Sequence, residues 1–116
     1  MIDYAIQKAR EMPYEQGKPR VYAVIVDKKG TVLSEGSNSF TKTHPTQAYF
    51  AEKVDLPLKV FLHAEISALV KVRKGTPHKI YVARVDFEGT PMYAAPCPIC
   101  AEAIAQSTIQ SVEYTS

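Results

Sequence analysis

The sequence predicts one three-layer α/β/α domain built on a short mixed sheet of about four strands. Three observations predict it. A chain of 116 residues is long enough for one hydrophobic core and too short for two ordinary ones. Apolar residues recur at helical spacing in some segments and form short β-rich runs in others, in the order helix, hairpin, helix, strand, helix, strand. The last three elements have strand, helix, strand order, whose usual solution is a crossover between parallel strands.

Residues 2 to 12 place Ile2, Ala5, Ile6 and Ala9 on one side of a helix and Lys8, Arg10 and Glu11 on the other, until Pro13 stops it. "VYAVIVD" (21 to 27) is β-rich and nearly all apolar, as a central strand covered on both faces would be. "DKKG" turns it into "TVLSEG" (31 to 36), giving a hairpin. "HAEISALVKVRKG" (63 to 75) carries Ile66, Leu69 and Val70 on one face and ends at a glycine followed by Pro77, so a second helix is expected there. "KIYVARV" (79 to 85) reads as a third strand and "SVEYT" (111 to 115) as a fourth. Between them "CPICAEAIAQS" (97 to 107) has Pro98 where a first helical residue is tolerated, which makes Cys97 the N-cap.

Composition excludes several function classes. A net charge of +2 is too small to imply a polyanion partner by itself. Apolar runs such as "AVIV" (23 to 26) are far short of a membrane span. "MIDYAIQKAREM" lacks the basic start and unbroken apolar stretch of a secretory signal, so a cytoplasmic location is expected. Two cysteines separated by two residues then suggest a metal pair or a redox pair more than a structural disulfide.

The chemistry concentrates at two helix starts. His63 opens the second helix, and Cys97 and Cys100 lie at the N-cap and first turn of the third, from which both can point the same way. One nitrogen and two sulfur donors match a catalytic zinc, which has three protein ligands and an open fourth position. The helix N-terminus favours thiolates. Glu65, two residues after His63, is placed to exchange protons with water at the metal without binding it. Taken singly, C-x-x-C also describes buried or redox-active cysteines, and H-x-E arises by chance on exposed helices. The two together, each opening a helix in a compact α/β chain, are specific. A structural zinc would need a fourth protein ligand, for which His44 and His78 are the candidates.

The pattern H-x-E with P-C-x-x-C is the signature of zinc nucleobase deaminases. The sequence resembles the cytidine and deoxycytidylate deaminase superfamily over most of its length: a leading helix, "VYAVIVDKKGTVLSEGSNSF", "LHAEISAL", "KIYVARV" and "PCPICAEAIAQSTIQSVEYTS" follow the family's order. The resemblance implies Zn2+ held by His63, Cys97 and Cys100, with Glu65 as proton shuttle. It matches Asn38 to the asparagine that binds the substrate sugar in relatives, although "GSNS" is also ordinary turn composition. It implies that peptide groups around Ala64 and Ala95 line the base pocket. The chain departs from the family in stopping after a fourth strand, where relatives usually have a fifth. That leaves the 111 to 115 strand as an edge and makes self-association an expectation.

Residues 40 to 61 lie between Asn38 and His63. Pro45 to Val54 suit a short helix with Ala48, Phe50 and Ala51 inward, covering the sheet edge; alternatively the segment is a lid carrying Lys42 and His44 toward a phosphate. Tyr93, just before "AAPC", is a candidate for stacking on a base. The expected reaction is hydrolytic deamination of a cytosine nucleoside or nucleotide, deoxycytidylate first. The alternatives are the same chemistry on a purine, a polynucleotide editor using the basic cluster Lys71, Arg73 and Lys74, and a non-catalytic protein with structural zinc.

Overall fold

Alternation along two neighbouring strands divides the interior into two cores. In the computed structural model, which describes residues 1–57 and 61–116, β1 (Arg20–Val26) pairs antiparallel with β3 (Lys79–Val85). Val24 and Val26 of β1, with Ala83 and Val85 of β3, face Ala5 and Ala9 of helix α1 (Ile2–Glu11). Ala23 and Ile25, with Ile80 and Val82, face the opposite way, toward Ala64 and Ala68 of α3 (Ala64–Val70) and Ile104 of α4 (Pro98–Ala105). Period-two side-chain alternation therefore makes three layers, α1 on one face and the remaining helices on the other.

β2 (Val32–Ser37) pairs antiparallel with β1 on its free side. The far edge of β3 is shared: β5 (Ser111–Tyr114) runs parallel along Lys79 to Val82, and the two-residue β4 (Pro91–Met92) runs antiparallel at Arg84 and Val85. Among the described residues the sheet thus has five strands. The additional one is β4, held by a backbone turn in which Asp86 Oδ1 accepts from Glu88 N and Thr90 N, each at 2.9 Å. Parallel β3 and β5 joined through α4 are the crossover expected from strand, helix, strand order.

Two contacts set the depth of α3 on the sheet. Gly36 has no room for a side chain, since a Cβ there would lie 2.5 Å from Ala68 N and 2.8 Å from Ala64 O. Two residues earlier on the same face, the Ser34 hydroxyl donates to Ala68 O at 2.7 Å. β2 and α3 therefore meet backbone to backbone, and the residues that open α3 are fixed relative to the sheet.

α3 stops at Val70 rather than continuing to Gly75. Val72 must turn back to pack against the core, and the Arg73 guanidinium donates to the freed Val70 carbonyl at 2.9 Å. The segment before α3 contains helix α2 (Pro45–Lys53), capped by His44, whose Nδ1 accepts from Thr46 N at 3.0 Å. Its inward residues are Gln47 and Ala51, with Phe50 half-buried and Ala48 exposed. Gln47 takes the interior place expected for Ala48, and there its Oε1 accepts from the backbone N–H of His63 at 3.2 Å. Residues 58–60 of the expected lid lie outside the described residues.

Candidate active site

His63 is the N-cap of α3 and Cys97 the N-cap of α4, both with extended backbones that turn their side chains off the helix starts. Cys100 follows one turn into α4, fully buried against Ile66 and Ile99. The three side chains converge. His63 Nδ1 lies 3.3 Å from Cys97 Sγ and 3.3 Å from Cys100 Sγ, and all three donor atoms fall within 4.8 Å of one another. A tetrahedral zinc with ordinary bond lengths holds such nitrogen and sulfur atoms about 3.6 Å apart. An imidazole and two thiols at this spacing fit Zn2+, which draws them in as thiolates.

Among the described residues no fourth protein ligand joins them. His44 spends Nδ1 on its helix cap, and His78 sits at the start of β3, where its backbone bonds Val26 O and Gln110 N. The donor set is the three-ligand type that leaves a coordination position open.

Cys97 is held as the thiolate, its pKa lowered to about 4 by a hydrogen bond from the Cys100 thiol and then by His63. The same bond keeps the proton on Cys100, whose pKa is raised, with burial acting in the same direction. Glu65 stands in the first turn of α3 and is almost wholly buried. Burial pushes its pKa up, against the pull of its own backbone N–H. A carboxyl raised in this way exchanges protons more readily near neutral pH than an exposed one.

The cluster opens into a cavity of about 420 Å³ that Glu65, His63 and Cys97 line together with Asn38, Tyr93 and Arg84. The volume is within the range of small-molecule sites. The remaining walls are mostly apolar, with Val21, Leu62 and Ala94 among them, and Phe40 and Phe61 at exposed positions.

Residues 1–116 match the family model of the cytidine and deoxycytidylate deaminase zinc-binding region. The chain belongs to this family. Among solved structures, the cytidine deaminase of Mycobacterium tuberculosis aligns with TM-score 0.57 at 19% identity, covering 96% of this chain and 80% of that one. A Glu-to-Gln variant of the same enzyme gives the same values. A Glu-to-Asp variant gives TM-score 0.54 at 21% identity over 95% of this chain and 79% of that one. The five-stranded mixed sheet and four helices of the described residues thus have the cytidine deaminase fold. No curated protein matches the sequence significantly. The family and the His, Cys, Cys donor set together support a zinc deaminase, and no helix among the described residues is long and apolar enough to cross a membrane.

Of the deaminase residues expected from sequence, Asn38, Ala64, Ala95 and Tyr93 line the same cavity as Glu65. Asn38 is also structural: Oδ1 accepts from Val21 N at 3.0 Å and Nδ2 donates to Pro19 O at 3.1 Å. These bonds lock the side chain at the mouth and leave one acceptor and one donor site for a ligand. Tyr93 is exposed and meets Tyr114 edge to face at 5.8 Å. Ala94 N donates to Thr115 O at 2.9 Å, which fixes the wall beside Ala95. Lys42 and His44 do not line the cavity.

Four residues of the site escaped sequence reasoning. Phe40 and Phe61 stand at the two ends of the 40 to 61 segment, which reads as cover, and nothing local marks them as cavity walls. Gln47 supports His63 from another helix through Oε1, which accepts the His63 amide at 3.2 Å. Arg84 carried a signal that was available: it is an arginine in the core-facing row of a central strand.

Proposed function

We propose that the protein is a zinc-dependent hydrolase that deaminates a free cytosine nucleotide or nucleoside, deoxycytidylate first, to the uracil form with release of ammonia. The observation that carries this reading is a three-ligand nitrogen and sulfur cluster beside a buried carboxyl, both opening on one largely apolar cavity. Zinc bound by His63, Cys97 and Cys100 supplies Lewis-acid activation of water. Glu65 takes a proton on its carboxylate and delivers it to the departing amine. The peptide groups at Ala64 and Ala95 orient the base, Asn38 meets the sugar with its remaining donor and acceptor, and Tyr93 covers the ring. The apolar walls exclude bulk water around the ring. The reading includes a homo-oligomer, supported by β5, which among the described residues pairs with β3 alone and keeps a free edge, and a cytoplasmic location.

Zinc-loaded protein offered cytidine, deoxycytidine, their 5′ monophosphates, adenosine, guanine and single-stranded DNA and RNA tests the substrate through released ammonia. Activity confined to a purine or to the strands overturns the cytosine nucleotide. Absence of ammonia from every substrate overturns the enzyme.

A further inference from the structure

We propose that Arg84 anchors the 5′ phosphate of a free nucleotide in the active-site cavity, an assignment that rests on the deaminase reading above. The register of β3 makes Arg84 unusual. Ile80 and Val82 are fully buried on the face that carries α3 and α4, and the next residue of that row is Arg84. A cation continues a row that is otherwise core. It does so where the strand runs out from under the helices and into the cavity that Glu65 and His63 line.

The base of the side chain is fixed and its head is unengaged. Arg84 pairs with Val21 of β1 and Met92 of β4, and its N–H donates to Thr115 Oγ1 at 3.1 Å. The other three arginines spend their guanidinium groups on the fold. Arg10 donates to Gly89 O at 2.8 Å, Arg20 to the carbonyls of Arg10, Met12 and Asp86, and Arg73 to Val70 O. Among the described residues the Arg84 side chain makes no hydrogen bond or ion pair.

Every other charge-bearing group on the cavity has a use at the reacting end: His63 and Cys97 in the donor cluster, Glu65 in proton transfer. Among the described residues that line the cavity, Arg84 is the cation left to answer an anion. Its planar fork of N–H donors matches phosphate oxygens. Lys18, on a neighbouring hollow that Arg84 also walls, is already neutralised by Glu15 at 2.8 Å. The phosphate contact thus belongs to the rigid sheet rather than to Lys42 or His44 on the loop.

The test compares kcat/KM for deoxycytidylate and deoxycytidine in zinc-loaded wild type, Arg84→Ala and Arg84→Lys. Calorimetric binding of the products, deoxyuridylate and deoxyuridine, runs in parallel. The wild type favours the monophosphate; Arg84→Ala lowers the monophosphate-to-nucleoside ratio by roughly ten- to a hundredfold, the scale of a lost charge-assisted hydrogen bond. Arg84→Lys restores part of it, because the charge remains while the fork is lost. If Arg84→Ala does not fold, Arg84→Gln carries the same ratio. A wild type without monophosphate preference, or a ratio that survives the substitution, overturns the anchor and leaves the deaminase standing. If no cytosine compound releases ammonia, the deaminase fails, and product binding decides the anchor by itself: tighter deoxyuridylate binding lost in Arg84→Ala supports it, and equal binding overturns it. A short single-stranded oligonucleotide identifies the source of the phosphate. Arg84-dependent turnover of the strand with none for the monophosphate overturns the free nucleotide.

Discussion

The backbone N–H of His63 donates to Oε1 of Gln47 at 3.2 Å, tying one of the three candidate zinc ligands to a fully buried side chain on a different helix. An N-cap amide has no partner inside its own helix. With no capping side chain of its own, the start of α3 takes its acceptor from α2.

Gln47→Leu keeps the volume and removes the acceptor. The stranded amide costs about 1–3 kcal/mol, read as a lower denaturation midpoint of the zinc-loaded protein. Zinc affinity, measured by chelator competition, falls because the imidazole is held less firmly. Gln47→Glu retains an acceptor at the same reach and recovers affinity relative to Gln47→Leu. Equal zinc affinity in all three proteins would show that Gln47 merely fills space.

This bond marks the boundary of what the sequence could reveal. Features set within one turn of chain were readable: the stop of α1 before Pro13, Cys97 as N-cap ahead of Pro98, and the two helix starts that bring His63 to Cys97 and Cys100. Features set by a neighbour distant in sequence were not. Gly36 reads as turn composition, yet its lack of a side chain is required by α3. Ala48 and Gln47 lie side by side on α2, and apolarity alone favours the wrong one. The short β4 exists because Asp86 folds its own turn back onto the end of β3, which no apolar pattern announces.

Gly36→Ala tests the close approach directly. The added methyl would overlap Ala68 N and Ala64 O, both backbone atoms that cannot swing aside. Overpacking of this kind costs about 1–3 kcal/mol, visible in chemical denaturation. Turnover falls further than stability alone explains, because His63 and Glu65 move with α3.

Cys100→Ala removes a buried donor from the cluster. Elemental analysis of the purified variant should find less than stoichiometric zinc, and its thermal midpoint should drop, since metal binding contributes to folding. Full zinc occupancy in this variant would mean that the ligand set has been misassigned.

Alkaline pH reaches a different part of the molecule. Glu35 Oε1 accepts from Tyr22 at 2.6 Å and from Tyr4 at 2.7 Å. Burial of Tyr22, followed by its bond to Glu35, raises its pKa well above 10. The folded chain therefore keeps this proton at a pH where the unfolded chain releases it. With fewer protons bound in the unfolded state, stability contributed by Tyr22 is present below about pH 10 and declines above it. Tyr22→Phe lacks the group that titrates. Denaturation midpoints between pH 8 and 11 should fall more steeply for wild type than for Tyr22→Phe, and parallel curves would remove Tyr22 from the alkaline response.

Glu65→Gln separates proton transfer from metal binding. The side chain is nearly isosteric, stands in the first turn of α3 and is not among the three donor atoms, so zinc content and fold should match the wild type. The amide neither accepts nor returns a proton. Loss of a positioned general acid–base lowers rate by about a hundredfold or more, and the loss should appear in kcat with product affinity little changed. Burial disfavours the ionised form of this carboxyl, which gives a distinct structural signature: the glutamine variant has no charge to bury, so its stability should equal or exceed that of the wild type near neutral pH. Ammonia release by Glu65→Gln at the wild-type rate would take Glu65 out of the chemistry and leave it a buried carboxyl beside the metal site.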